Sequence, residues 1–101
     1  MIIYSVTTNI EDSVKADWLA WMQSTHIPEV MQTGMFKEYR FMRVIGDEES
    51  GGGTYSVQYL CESMEKFKEY EAKFAPALRA EAIARYKEKF IAFRTLLEVV
   101  E

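Results

Sequence analysis

At 101 residues and a formal net charge of -4, the chain has the size of one domain, residues 1–101, and lacks the basic face a nucleic-acid partner requires. No apolar run nears the ~20 residues that span a bilayer, and the single cysteine, Cys61, makes neither an intramolecular disulfide nor a zinc site. Hydrophobic residues make up 49% and aromatics 14%, which is rich for a small monomer and points to apolar surface buried in an oligomer or a pocket.

Ile2 to Thr8 reads as a strand, with Ile2, Tyr4 and Val6 on one face and Ile3, Ser5 and Thr7 on the other. This start has neither the basic residues nor the cleavage site of a signal peptide, so a cytoplasmic location is expected. From Ser13 to about Ser24 the pattern is helical, with Val14, Trp18, Trp21, Met22 and Thr25 in one arc. Asp12 or Ser13 supplies a side-chain cap. Pro28 disfavours the helical conformation at Ile27, so the helix is predicted to end near His26. At a helix C-terminus the dipole favours a protonated imidazole. Ile27 to Gly34 then makes a short helical turn, begun at Pro28 and stopped by Gly34.

Met35 to Ile45 is a second, aromatic-rich strand. Gly46 to Gly53 reads as a mobile hairpin loop. It is no phosphate-binding loop, because it has no lysine and leads into a strand. Thr54 to Glu62 is the third strand. Ser63 caps a helical stretch that Pro76 divides in two, over about Met64–Phe74 and Pro76–Tyr86, with Phe67, Tyr70, Phe74 and Leu78 as the apolar stripe. Phe90 to Val100 is the last strand, with Ile91, Phe93, Thr95, Leu97 and Val99 alternating with Phe90, Ala92, Arg94, Leu96 and Glu98.

Strand, helix, strand, strand, helix, strand in one small domain predicts an α+β fold: a four-stranded antiparallel sheet with both helices on one face. Tyr4, Val6, Tyr39, Phe41, Tyr55, Val57, Tyr59, Phe93, Leu97 and Val99 are assigned to the helix-facing side. Ile3, Ser5, Phe36, Arg40, Met42, Gln58, Leu60, Arg94 and Leu96 are assigned to the outer side. That outer set is too apolar to face water alone. It suits a sheet-to-sheet homodimer with a polar network through Arg40, Gln58 and Arg94.

His26, the only histidine, is the sharpest candidate for chemistry. Its ordinary pKa near 6.5 suits a general acid or base at the mouth of a helix–sheet cleft. The plainer reading is a helix-end histidine bonded to a backbone carbonyl or a tyrosine, and that is the commoner fate of a lone histidine. Trp18, Trp21 and Met22, with the phenols of Tyr4, Tyr39 and Tyr59, would line a site for a small hydrophobic ligand. The same residues serve equally as ordinary core and cross-strand packing. Arg40 and Arg94 are also candidates to anchor an anion. No clustered carboxylates or cysteines accompany His26 at metal-ligand spacing, so no metal is expected. Cys61 reads as a packed small residue.

The segment Trp18-Leu-Ala-Trp-Met-Gln-Ser-Thr-His-Ile-Pro-Glu-Val30, the text Phe74-Ala-Pro-Ala-Leu-Arg79 and the closing strand Lys89–Val100 resemble a small bacterial family of unknown function among the dimeric α+β barrels. The resemblance spans essentially the whole chain. More broadly, a helix-one tryptophan followed by a histidine is similar to antibiotic-biosynthesis-type monooxygenases, the ethyl-tert-butyl-ether-degradation family, and related isomerases and dehalogenases. The resemblance implies a ferredoxin-like βαββαβ subunit, a homodimer, and a small apolar cleft between sheet and helices. Haem through His26 is known among such folds, but nothing else in the sequence argues for it, and no cofactor is expected. The functional expectation is a subunit that binds a small hydrophobic molecule against His26, Trp18, Trp21 and Tyr59; if it is an enzyme, cofactor-free oxygenation or isomerisation of a small aromatic or keto compound is the class expected. The alternative is a non-catalytic structural or regulatory dimer.

Overall fold

A computed structural model describes residues 1–46 and 52–101. The hairpin-loop reading falls mainly on residues 47–51, outside the described residues. β1 (Ile2–Glu11), β2 (Phe36–Arg43), β3 (Gly52–Cys61) and β4 (Phe90–Glu98) form one antiparallel sheet in the order β2-β3-β1-β4. Helical segments come after β1 and β3. The order is therefore the expected ferredoxin-like one, although β3 begins at Gly52 rather than Thr54.

The first helical run is longer than Pro28 suggests. A 3-10 turn (Asp12–Val14) leads into α1 (Lys15–Trp21), a π-helical turn (Met22–His26) and α2 (Ile27–Gln32) without a break. A proline inside a helix removes one N–H and crowds the carbonyl four residues back. The wider π turn accommodates both: the Ile27 N–H donates to the Met22 carbonyl, five residues back. The run stops where expected, at Gly34, whose φ of 78° suits glycine. Neither Asp12 nor Ser13 caps its start through a side chain.

After β3, Ser63 caps α3 (Met64–Lys73) by accepting a hydrogen bond from the Lys66 N–H at 3.2 Å. Pro76 falls in the first turn of α4 (Ala75–Tyr86), where its missing N–H is harmless, so the stretch divides into two helices. α3 buries Phe67 and Tyr70, while Phe74 and Leu78 pack against the core from its edge. The core joins these to Ile10, Ile27, Val30, Val57 and the buried aromatics of the sheet. Cys61 is buried, with its thiol donating to the carbonyls of Met35 and Ser63.

Two register assignments differ from the sequence reading. β2 carries an extra residue: Phe36 pairs with Cys61 and Glu38 with Leu60. This bulge turns Phe36 to the helix-facing side, the same side as Phe41. There Phe36 meets Tyr59 at 5.1 Å and Tyr70 at 4.8 Å between ring centroids. β4 is inverted relative to expectation. Arg94 lies opposite Val6 and Leu96 opposite Tyr4, so both belong to the helix-facing side. Phe93 and Leu97 lie opposite Thr7 and Ile3, on the outer side. Alternation misleads here, because both faces of this strand carry large apolar residues, Phe93 and Leu97 on one and Phe90 and Leu96 on the other. The choice falls instead to the connection from α4, where Lys87 takes a φ of 53° and delivers Phe90 opposite Ile10.

Candidate functional site

The sheet and helices enclose a cavity of about 60 Å³. Tyr4 and Tyr59 line it from the sheet, and Trp18, Trp21, Met22 and His26 from the first helical run. The second pair of helices adds Tyr70 and Arg79, and β4 adds Arg94. One water needs roughly 10–15 Å³ of such space, so several fit. Pockets that bury drug-sized molecules run to roughly 300–1,000 Å³. A porphyrin therefore does not fit within this space. Arg94 is exposed, unlike the other lining residues, and marks the open side.

His26 reaches the cavity because the π turn carries it there. Its ring stacks on Trp21, with centroids 4.9 Å apart and planes at 28°. Trp21 is held in turn by the edge of Tyr86 at 5.5 Å and by the Arg85 guanidinium 5.8 Å from its ring centroid. The Tyr86 hydroxyl donates to Asp17 at 2.8 Å, tying α4 to α1. Nδ1 of His26 is buried and has no hydrogen-bond partner among the described residues. The expected protonated, helix-terminal imidazole is overturned. The helical run continues past it to Gln32, and burial pushes its pKa below the ordinary value. Glu81 opposes that shift and Arg94 adds to it. The imidazole is thus set up as a neutral group near pH 7, free to accept a proton.

The phenols are donors. Burial, reinforced by neighbouring tyrosines, pushes the Tyr59 hydroxyl well above the usual phenol range; burial and Tyr4 do the same for Tyr70. No hydrogen bond joins either hydroxyl to another described residue. Tyr4 is different: its oxygen accepts from Arg79 Nη2 at 3.1 Å, and the same nitrogen donates to Glu71 at 2.7 Å.

Beside the cavity, Glu29 buries Oε1 without a partner among the described residues. Burial first, then a proton shared with Glu81 and that group's charge, hold the Glu29 carboxyl above the usual carboxylate range. Among the described residues no three His, Cys, Asp or Glu side chains gather so as to hold a metal ion.

Of the residues singled out in the sequence, Trp18, Trp21, Met22, Tyr4, Tyr59 and His26 come together here. Tyr39 does not. On edge strand β2 it is 47% exposed, and it borders a shallow depression with Arg40 and Gln58. Arg40 and Gln58 pair across the strands on the outer face. Arg94, assigned to their network, lies on the opposite face and lines the cavity. Four residues in or near the cavity escape the sequence reading. Tyr70 was counted only as core, and Arg79 comes one residue after the apolar stripe. Nothing in sequence spacing joins Glu29 to Glu81.

The fold is that of ferredoxin-like α+β proteins, with solved structures matching the chain end to end. One is an ethyl tert-butyl ether degradation family protein from Bacillus halodurans (13% identity, TM-score 0.70, covering 99% of this chain and 100% of that one). Another is a variant of SnoaB, a cofactor-independent oxygenase from Streptomyces nogalater (12%, TM-score 0.71, covering 99% and 94%). A third is a dimeric ferredoxin-like protein from an uncultured marine organism (12%, TM-score 0.68, covering 100% and 96%). At such identities the likeness speaks for the fold alone. Among curated proteins none matches the chain. The chain belongs to the DUF4286 family, a domain of unknown function, whose model matches residues 1–100.

Proposed function

We propose that the protein is a homodimer in which each subunit binds a small, largely hydrophobic molecule in the cleft between helices and sheet, with His26 as its proton acceptor. The observation that carries this reading is an imidazole stacked on Trp21 at a cavity that also receives two phenols with no hydrogen-bond partner among the described residues. A C–H proton next to a carbonyl passes to His26, and the enolate left behind takes hydrogen bonds from the Tyr59 and Tyr70 hydroxyls. Return of the proton to another carbon is an isomerisation. Capture of the carbanion by dioxygen is a cofactor-free oxygenation, the class named for SnoaB.

The dimer rests on the outer face of the sheet. Phe93 is 65% exposed and Ile91 62%, and Leu97 and Met42 stand on the same side. Covering that face with a second copy removes them from water, and a neighbour of this fold is described as dimeric. No described helix is long and apolar enough to cross a membrane. A dimer mass is expected by light scattering at micromolar concentration; a monomer there contradicts the sheet-to-sheet arrangement.

The proton-transfer reading is tested by deuterium exchange. Small aryl ketones are incubated in D2O with the wild type or with His26→Gln, and loss of the α-proton signal is followed by NMR. Acceleration that falls about 100-fold or more in the variant is expected. Equal exchange by both proteins contradicts a base at His26. The small enclosed volume favours one rival, a non-catalytic dimer whose aromatics are all core, and absence of any acceleration by the wild type would support it.

A further inference from the structure

Resting on the cleft reading, we infer that the ligand is an acid: a compact apolar body carrying one carboxylate or comparable anionic oxygen group, held by Arg94 at the open side. The charged side chains that line the cavity are Arg79 and Arg94, and no carboxylate among the described residues lines it. The two arginines are not equivalent. Arg79 is spent on Glu71 at 2.7 Å and Tyr4 at 3.1 Å. Arg94 has no hydrogen-bond or ion-pair partner among the described residues, and its charge is felt by both His26 and Tyr70. One guanidinium lining an aromatic cavity, with no counter-charge among the described residues, is suited to hold an anion. The remaining donors agree. The hydroxyls of Tyr59 and Tyr70 have no hydrogen-bond partner among the described residues and remain for the ligand's carbonyl oxygen, which leaves the anionic group to Arg94.

Alternation along β4 placed Arg94 on the outer sheet face, as part of a dimer network. The register that sets it opposite Val6 removes it from that face. Arg40, opposite Gln58, is the arginine that remains there. Arg40→Gln is therefore a charge-matched control remote from the cleft. The carboxylate acids differ from their amides by one charge and almost no volume, so the pair isolates the role of Arg94.

The probes are propanoate and benzoate, each against its neutral amide. Binding to the full-length protein is followed by NMR through the indole N–H signals of Trp18 and Trp21, the chain's two tryptophans, both of which line the cavity. The acids are expected to bind about tenfold tighter than the amides, an advantage of ~1.4 kcal/mol. Arg94→Gln should erase that ratio while leaving amide binding in place, and Arg40→Gln should keep it. Equal binding of acid and amide, or a preference that survives Arg94→Gln, overturns the acid inference and leaves the cleft reading standing. Failure of all four probes to move either indole signal at tens of millimolar overturns both.

Discussion

Space in a protein core is destabilising unless a ligand fills it, so filling the cavity from within should stabilise the fold and block the site. Ala92 is suited to this. It lies on β4 opposite Thr8, on the helix-facing side, and lines the cavity. Ala92→Val adds two carbons there. At ~24 cal/mol per Å³, full occupancy of about 60 Å³ recovers ~1.4 kcal/mol. Burying two carbon groups at ~0.8 kcal/mol each gives ~1.6 kcal/mol by an independent route. Valine also suits a strand better than alanine, which acts in the same direction. The expected gain is about 1–1.5 kcal/mol, a rise in Tm of about 5–10 °C for a domain of this size. Thermal and urea unfolding should be compared at one fixed protein concentration, since dimerisation makes stability concentration-dependent. The same variant should lose the indole shifts caused by benzoate and benzamide. A destabilisation of about 1–3 kcal/mol would mean that valine is overpacked, and that the space is already filled by the side chains around it.

Three other expectations come from the geometry. By NMR titration the His26 imidazole should titrate below 6.5, with Arg94→Gln moving it up and Glu81→Gln moving it down. Because the folded state lowers this pKa, the stability tied to His26 is present above about pH 6.5 and lost as pH falls through the folded value; His26→Gln should flatten that part of the stability–pH curve, and an unchanged curve would count against it. Glu29 has the opposite sign: its raised pKa gives stability at low pH that is lost as pH rises through the folded value. Glu29→Gln should therefore raise Tm at pH 8 more than at pH 4, and a pH-independent effect would show that the carboxyl pair does not share a proton. Lastly, Ser63→Ala should cost about 1 kcal/mol in urea unfolding by removing the cap on Lys66, whereas Ser13→Ala, which removes no cap bond, should be near neutral.

Much of this was legible in the sequence, for identifiable reasons. The strands alternate, Ser63 and Pro76 punctuate the second helical stretch, and both tryptophans share one helical arc with Met22. Those features depend on local periodicity, and the structure keeps them. Pro28 misled because its effect on a helix depends on whether the helix can widen, and the π turn from Met22 to His26 does so. With that turn, His26 passes from a solvated helix end to a half-buried stack on Trp21. Phe36 and Arg94 were placed on the wrong faces for a different reason. A single-residue bulge in β2 and a positive φ at Lys87 shift side chains by one position, and one position in a strand reverses its face. The Glu29–Glu81 pairing, and the company of His26 and Arg94, arise only when α4 and β4 fold back over the first helical run.

The central claim is that the helix–sheet interface holds a ligand site at His26 rather than a filled core. A high-resolution crystal structure of the purified protein tests it most directly, through the electron density bounded by His26, Trp21, Tyr59 and Arg94. Ordered waters or a bound molecule contacting the Tyr59 or Tyr70 hydroxyl, with the Arg94 guanidinium turned toward it, is the expected result. Side chains closed over that space, with Arg94 directed to solvent or to a second subunit, would contradict the claim.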